Sequence, residues 1–165
     1  MLNVDQLQNP KLQFVQADSP SEIAHAQELF LEYAKSLGFS LCFQNFDAEL
    51  ASLPGEYAPP AGRLLLAEYD SSLAGCVALH KLGGDVCEMK RLYLRPQFRG
   101  KGLGRVLADR IINEAREIGY KSMRLDTVES VMKDAVEMYR RMGFREIPPY
   151  CPNPIPTALY MELQL

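Results

Sequence analysis

Residues 94–107 read Leu94-Arg95-Pro96-Gln97-Phe98-Arg99-Gly100-Lys101-Gly102-Leu103-Gly104-Arg105-Val106-Leu107, and the organisation of the chain unfolds from this stretch. An apolar run ends at Leu94 and Pro96 breaks it. Gly100, Gly102 and Gly104 follow, and Val106, Leu107, Ile111, Ala115 and Ile118 then mark a helical stripe closed by Gly119. Strand, glycine turn and helix N-terminus stand in direct succession. Residues without side chains let backbone N–H groups approach a ligand, and the unpaired amides of a first helical turn carry partial positive charge, so the place favours phosphate or pyrophosphate. Arg99, Lys101 and Arg105 reinforce the preference. A glycine turn that merely joins strand to helix is the alternative. Two nucleotide loops fail on spacing: a dinucleotide fingerprint from Gly100 or Gly102 needs glycine at Arg105 or Leu107, and a P-loop needs Ser or Thr after its Gly-Lys pair, where this chain has Gly102.

Upstream, three strand-like runs, Arg63 to Tyr69, Leu73 to Leu82 and Val86 to Leu94, are separated by the short turns Asp70-Ser71-Ser72 and Gly83-Gly84-Asp85, which predicts an antiparallel meander. Earlier still, Leu12 to Ala17 alternates as a first strand, and Ser19-Pro20-Ser21-Glu22 is a capping box with proline at the first helical position. Ile23, Ala26, Phe30, Tyr33, Ala34 and Leu37 then give one apolar face that stops at Gly38. Between Phe39 and Pro60 the pattern breaks into a folded connection with a short helix over Asp47 to Leu53.

Downstream the pattern alternates: a helix from Gly102 to Ile118, a strand at Ser122 to Asp126, a helix from Val131 to Met142 closed by Gly143, and strands near Phe144 to Ile147 and Ala158 to Leu163. Pro148, Pro149, Pro152, Pro154 and Pro156 make the last connection a stiff loop. The reading is an α/β (α+β) fold, a mixed central sheet of six or seven strands flanked by helices, in one domain over residues 1–165.

A net charge of -3 and a pI near 5.5 argue against stable nucleic-acid binding. Cys42, Cys76, Cys87 and Cys151 form no Cys-x-x-Cys pair and read as reduced thiols. Met1 to Gln6 lacks the order of a signal peptide, and no stretch approaches a membrane span, so a soluble, cytoplasmic protein without a membrane partner is expected. His25 and His80 have no second ligand at metal spacing, and no metal is assigned.

The glycine loop strongly resembles the coenzyme A loop of the GNAT superfamily of N-acetyltransferases, Arg/Gln-x-x-Gly-x-Gly/Ala, matched by Arg99, Gly102 and Gly104. A second family signature, alanine, tyrosine four residues on, then Gly-Phe, is matched by Ala135, Tyr139, Gly143 and Phe144. The resemblance implies the GNAT fold and acetyl-coenzyme A (acetyl-CoA) as co-substrate. It implies a cofactor site of Arg99, Gly100, Lys101, Gly102, Leu103, Gly104 and Arg105, with Leu92, Tyr93 and Leu94 on a splayed strand pairing with the pantetheine arm. Many relatives carry asparagine seven residues before the motif tyrosine; here Met132 stands there, and Ser130 is the residue that could take over its contact.

The resemblance also makes Tyr139 the proton donor to the coenzyme A sulfur. Its helix reads with a core face of Val131, Ala135, Met138 and Met142, which places Tyr139 on the flank; amphipathic packing is its alternative role. Glu88, mid-strand before Leu92, is the candidate base, with a solvated carboxylate paired to Lys90 on the same face or to a neighbouring strand as the other reading. Phe43, Gln44 and Phe46, and the proline loop with Tyr150, are candidate walls for the acceptor, although Phe43 and Phe46 also suit a core. The expectation is acetyl transfer to a primary amine of a small molecule or protein, with a homodimer left open. A non-catalytic coenzyme A-binding module, or transfer of a different acyl group, is the alternative.

Overall fold

The computed structural model describes residues 11–165; the polar start from Met1 through Pro10 lies outside the described residues. A seven-stranded sheet runs in the order β1-β2-β3-β4-β5-β7-β6. Its strands are β1 (Leu12–Gln16), β2 (Arg63–Tyr69), β3 (Ser72–Gly83), β4 (Val86–Leu94), β5 (Ser122–Val128), β6 (Arg145–Ile147) and β7 (Ala158–Gln164). All neighbours are antiparallel except β4 and β5. The helices are α1 (Pro20–Ser36), α2 (Phe46–Ala51), α3 (Leu103–Ile118) and α4 (Lys133–Arg141).

Alternation along the strands divides the core between two faces. Leu64, Leu66, Cys76 and Ala78 pack with Ala26, Leu29, Phe30 and Leu37 on the α1 side. Their neighbours Leu65, Ala67, Val77 and Leu79 pack with Leu107, Ile111 and Ala115 of α3. Successive strand residues point to opposite faces, so uninterrupted apolar runs in β2 and β3 are what a sheet covered on both sides requires. Truncating a fully buried Leu29 or Phe30 would cost about 2–5 kcal/mol. The capping box forms as read: Ser19 Oγ accepts from the Glu22 N–H, and Glu22 accepts from the Ser19 N–H.

Two differences from the sequence reading bear on the site. The fourth helix begins at Lys133, so Val131 lies before it and is exposed; Val136 and Tyr139 are the buried residues, and Tyr139 sits at the centre of the packed face. The assumed stripe was one residue out of phase because it included residues of the β5–α4 connection. In β4, Ala78 pairs with Lys90 but Cys76 with Tyr93, so β4 carries one extra residue, and Arg91 takes the left-handed conformation (φ 59°). This bulge sends Lys90 and Arg91 to the same face, where both contact Gln44 Oε1.

Candidate active site

The parallel ladder between β4 and β5 is short. Val86, Cys87 and Glu88 pair with Ser122, Met123 and Arg124, and the ladder stops there, although β4 stays paired to β3 as far as Leu94 and β5 to β7 as far as Val128. Past Glu88 the strands part. A cleft of about 710 Å³ occupies the opening, lined by Met89 to Leu94 on one side and Leu125 to Val128 on the other. The edge of β4 that faces β5 thereby offers backbone donors and acceptors that no neighbouring strand takes.

At one end the cleft meets the glycine loop. Gly100 (φ 79°) and Gly102 (φ 76°) occupy the left-handed region, and a Cβ on either would meet nothing within 4 Å. Gly102 is the N-cap of α3 and supplies no side chain; the first helical bond runs from the Val106 N–H to the Gly102 carbonyl, so the amides of Leu103, Gly104 and Arg105 precede it. An anion placed there meets the helix dipole and these donors. Arg99 is anchored through Nε to the Leu94 carbonyl at 3.0 Å and stacks on Tyr93. Gly100, Gly102, Leu103, Gly104, Arg105, Leu92, Tyr93 and Leu94 all line the cleft with Arg99. Lys101 stands outside this lining, its ammonium over the Tyr69 ring.

Tyr139 also lines the cleft. Its ring is edge-on to Phe144 at 5.5 Å, and its hydroxyl bonds to no other group among the described residues. Burial pushes its phenol above the ordinary range, so it stays protonated at neutral pH. Met132 lines the cleft nearby and accepts from Thr127 Oγ1. Ser130 does not share the lining: it is exposed and bonded to Thr157.

Glu88 is likewise beside the cleft rather than in its wall. It is buried, with Oε1 at 2.8 Å from His80 Nε2 and Oε2 accepting from the Tyr150 hydroxyl. Burial alone would raise its carboxyl, but the His80 contact, the Lys90 charge and the Tyr150 hydroxyl outweigh it and hold the group below the usual carboxylate range. The alternative reading holds in its pairing, with Lys90 at 3.8 Å and His80 on the neighbouring strand, but not in its solvation, because the carboxylate is buried.

The end of the cleft away from the glycine loop is richer than the sequence reading. Gln44 lines it; Phe46 is core, packed under the Arg91 guanidinium, and the Phe43 side chain lies outside the described set. Lys90, Arg91, Asp126 and Asn153 join the lining without having been singled out. Arg91 is buried and bonded to Glu49 through Nε and Nη2. Asp126 shares its phase of β5 with the charged, part-exposed Arg124, opposite the core residues Met123 and Leu125, so the alternation alone did not single it out. Tyr150 of the proline loop anchors on Glu88, while Asn153 reaches the cleft.

The site is thus a split parallel strand pair with an uncapped helix N-terminus at one end. Residues 24–144 match the model of the acetyltransferase (GNAT) family, and the chain belongs to that family. An uncharacterized N-acetyltransferase of Schizosaccharomyces pombe is 43% identical over 148 residues, covering 88% of this chain and 90% of its own. A GNAT-family acetyltransferase of Staphylococcus aureus superposes with a TM-score of 0.75 at 18% identity, covering 93% and 98% of the two chains. A putative acetyltransferase of Salmonella typhimurium, solved with its cofactor acetyl-CoA, superposes with a TM-score of 0.64 at 21% identity, covering 93% and 94%. The protein is an acyltransferase of this family.

Proposed function

We propose that this enzyme transfers the acetyl group of acetyl-CoA directly to a primary amine of a small molecule or protein. The observation that carries the reading is one cleft that joins the uncapped first turn of α3, the unpaired edge of β4 and the Tyr139 hydroxyl. The residues present fit the co-substrate: the loop leaves open space at Gly100 and Gly102 where bulkier residues would intrude, and Arg99 and Arg105 stand beside it.

When bound, acetyl-CoA supplies an activated acyl carbon and a thiolate leaving group. The α3 amides and Arg99 hold its pyrophosphate. Backbone groups of Leu92 to Leu94 orient the pantetheine arm, and a free N–H on that edge polarises the carbonyl. Tyr139, kept neutral by burial, donates to the departing sulfur. Glu88 ties Tyr150 and His80 together and fixes the wall behind the acceptor. Ser130 and Lys101 stay peripheral to these contacts.

The test is coenzyme A thiol release across a panel of primary amines, with product masses. Release that depends on amine and matches acetylated product supports the reading. Coenzyme A binding without release on any amine makes the chain a binding module, and stronger turnover with longer acyl donors reassigns the acyl group.

A further inference from the structure

Asp126 sits on β5 where the strands have parted, opposite Lys90 of β4, and its side chain is only 6% exposed while it lines the cleft. Its two oxygens are treated differently. Gln44 Nε2 and Asn153 Nδ2 both donate to Oδ2, at 3.3 and 3.2 Å. Oδ1 receives no hydrogen bond among the described residues; its nearest cation, Lys90 Nζ, is 3.9 Å away. The amides are themselves fixed. Gln44 Oε1 accepts from Arg91 Nη1 at 2.8 Å and from Lys90 Nζ at 3.3 Å, which turns the Gln44 amide nitrogen toward Asp126. A carboxylate held by one oxygen, with the other bare in a cleft, is built to receive a donor from outside the protein.

Resting on the acetyl-transfer reading, we propose that Asp126 Oδ1 binds the ammonium of the acceptor and takes its proton, and that the acceptor is therefore an amine cationic at neutral pH. Glu49 is engaged by Arg91 and Glu88 by His80 and Tyr150, while Asp134, which also lines the cleft, is an exposed residue in the first turn of α4. The groups that face Asp126 are Lys90 from β4, Tyr33 from α1, Tyr150 and Cys151 from the proline loop, and Tyr160 from β7. Burial raises all the phenols and the thiol, the Arg91 guanidinium on the same face is paired with Glu49, and the cation beside Oδ1 is Lys90, at 3.9 Å. As a like charge beside the incoming ammonium it favours loss of the proton, which eases transfer to a carboxylate.

The step balances. Oδ1 takes one proton from the ammonium, and the freed lone pair forms the N–C bond. The C–S bond breaks with its electron pair on sulfur, and the second nitrogen proton passes in net to that sulfur, the Tyr139 hydroxyl standing between. Asp126 then returns its proton to solvent.

Asp126→Asn keeps the shape and the amide contacts while removing the charge. With acetyl-CoA and n-butylamine, phenethylamine and 1,4-diaminobutane, it is expected to lower kcat/KM about 100-fold or more on every amine the wild type uses, and to abolish the acidic limb of the pH–rate profile. Coenzyme A affinity by calorimetry stays within about twofold, and amine binding to the enzyme–coenzyme A complex weakens about tenfold. An Asp126→Asn enzyme within about threefold of wild type, with its acidic limb intact, overturns the proposal. If that variant loses coenzyme A binding through misfolding, Asp126→Glu decides: a displaced acidic limb supports the role and an unchanged one overturns it. A wild type that binds coenzyme A but acetylates none of the three amines sinks the acetyl-transfer reading and Asp126 with it; a wild type that acetylates them beside an equally fast variant sinks Asp126 alone.

Discussion

Removing a single oxygen, in Tyr139→Phe, tests the chemistry of the cleft with little disturbance to its structure. The hydroxyl bonds to no other group among the described residues, so its loss orphans no partner, and the ring keeps its edge contact with Phe144 at 5.5 Å. The stability change should stay within about 0.5 kcal/mol, a melting shift of about 2 °C or less. A positioned general acid contributes about 10²- to 10⁴-fold, or about 2.7–5.5 kcal/mol of transition-state stabilisation. Because burial raises the phenol, the acid form persists throughout the neutral range, and wild type should show no alkaline loss from this group below about pH 10. Steady-state thiol release, calorimetric coenzyme A titration and a thermal melt separate the contributions. The expected pattern is kcat down at least about 100-fold with Kd for coenzyme A and Tm nearly unchanged. Undiminished kcat would refute the acid role, and an equal loss of Tm or coenzyme A affinity would show that the tyrosine acts by packing.

Further perturbations probe the supports. Gly104→Val is tolerated by the protein, since a Cβ there would lie 3.8 Å from Leu94 Cδ1, but it fills space beside the anion cradle; Kd for coenzyme A should rise about tenfold or more with Tm little changed, and an unaltered Kd would contradict the placement. Arg91→Met leaves Glu49 without its cation and frees Gln44, so unfolding should cost about 3 kcal/mol less, with a loss under about 1 kcal/mol counting against the network. Glu88 and Glu22 both titrate below the ordinary carboxylate range when folded, Glu22 near about 2, so the stability they lend is complete above the unfolded value and lost as pH falls through the folded one. Melting temperature should hold from pH 7 to about 5 and fall below it, and Glu88→Gln should flatten that decline.

The elements that carry strong local signals were readable from the chain. The capping box at Ser19, the short turns read at Asp70-Ser71-Ser72 and Gly83-Gly84-Asp85, each one residue shorter in the structure, and the glycine loop before α3 state their geometry within a few residues. The cofactor side was legible for the same reason: a phosphate cradle is built from consecutive residues. The acceptor side was not, because it joins Gln44, Lys90, Asp126 and Asn153 from separate elements through long-range hydrogen bonds. The bulge at Arg91 was also hidden, since a non-glycine residue at positive φ announces nothing; the contacts to Glu49 and Gln44 hold it there. Glu88 looked like a cleft carboxylate from its phase on β4, but His80 and Tyr150, from β3 and the proline loop, occupy it.

The central claim is direct acetyl transfer across the parted strands, and acetyl-CoA with an isotopically labelled acetyl group tests it most plainly. Intact-protein and product masses should show the label on the amine, one per thiol released, and an unlabelled protein when amine is omitted. Label held covalently by the protein, or appearing only as free acetate whatever amine is present, would contradict it.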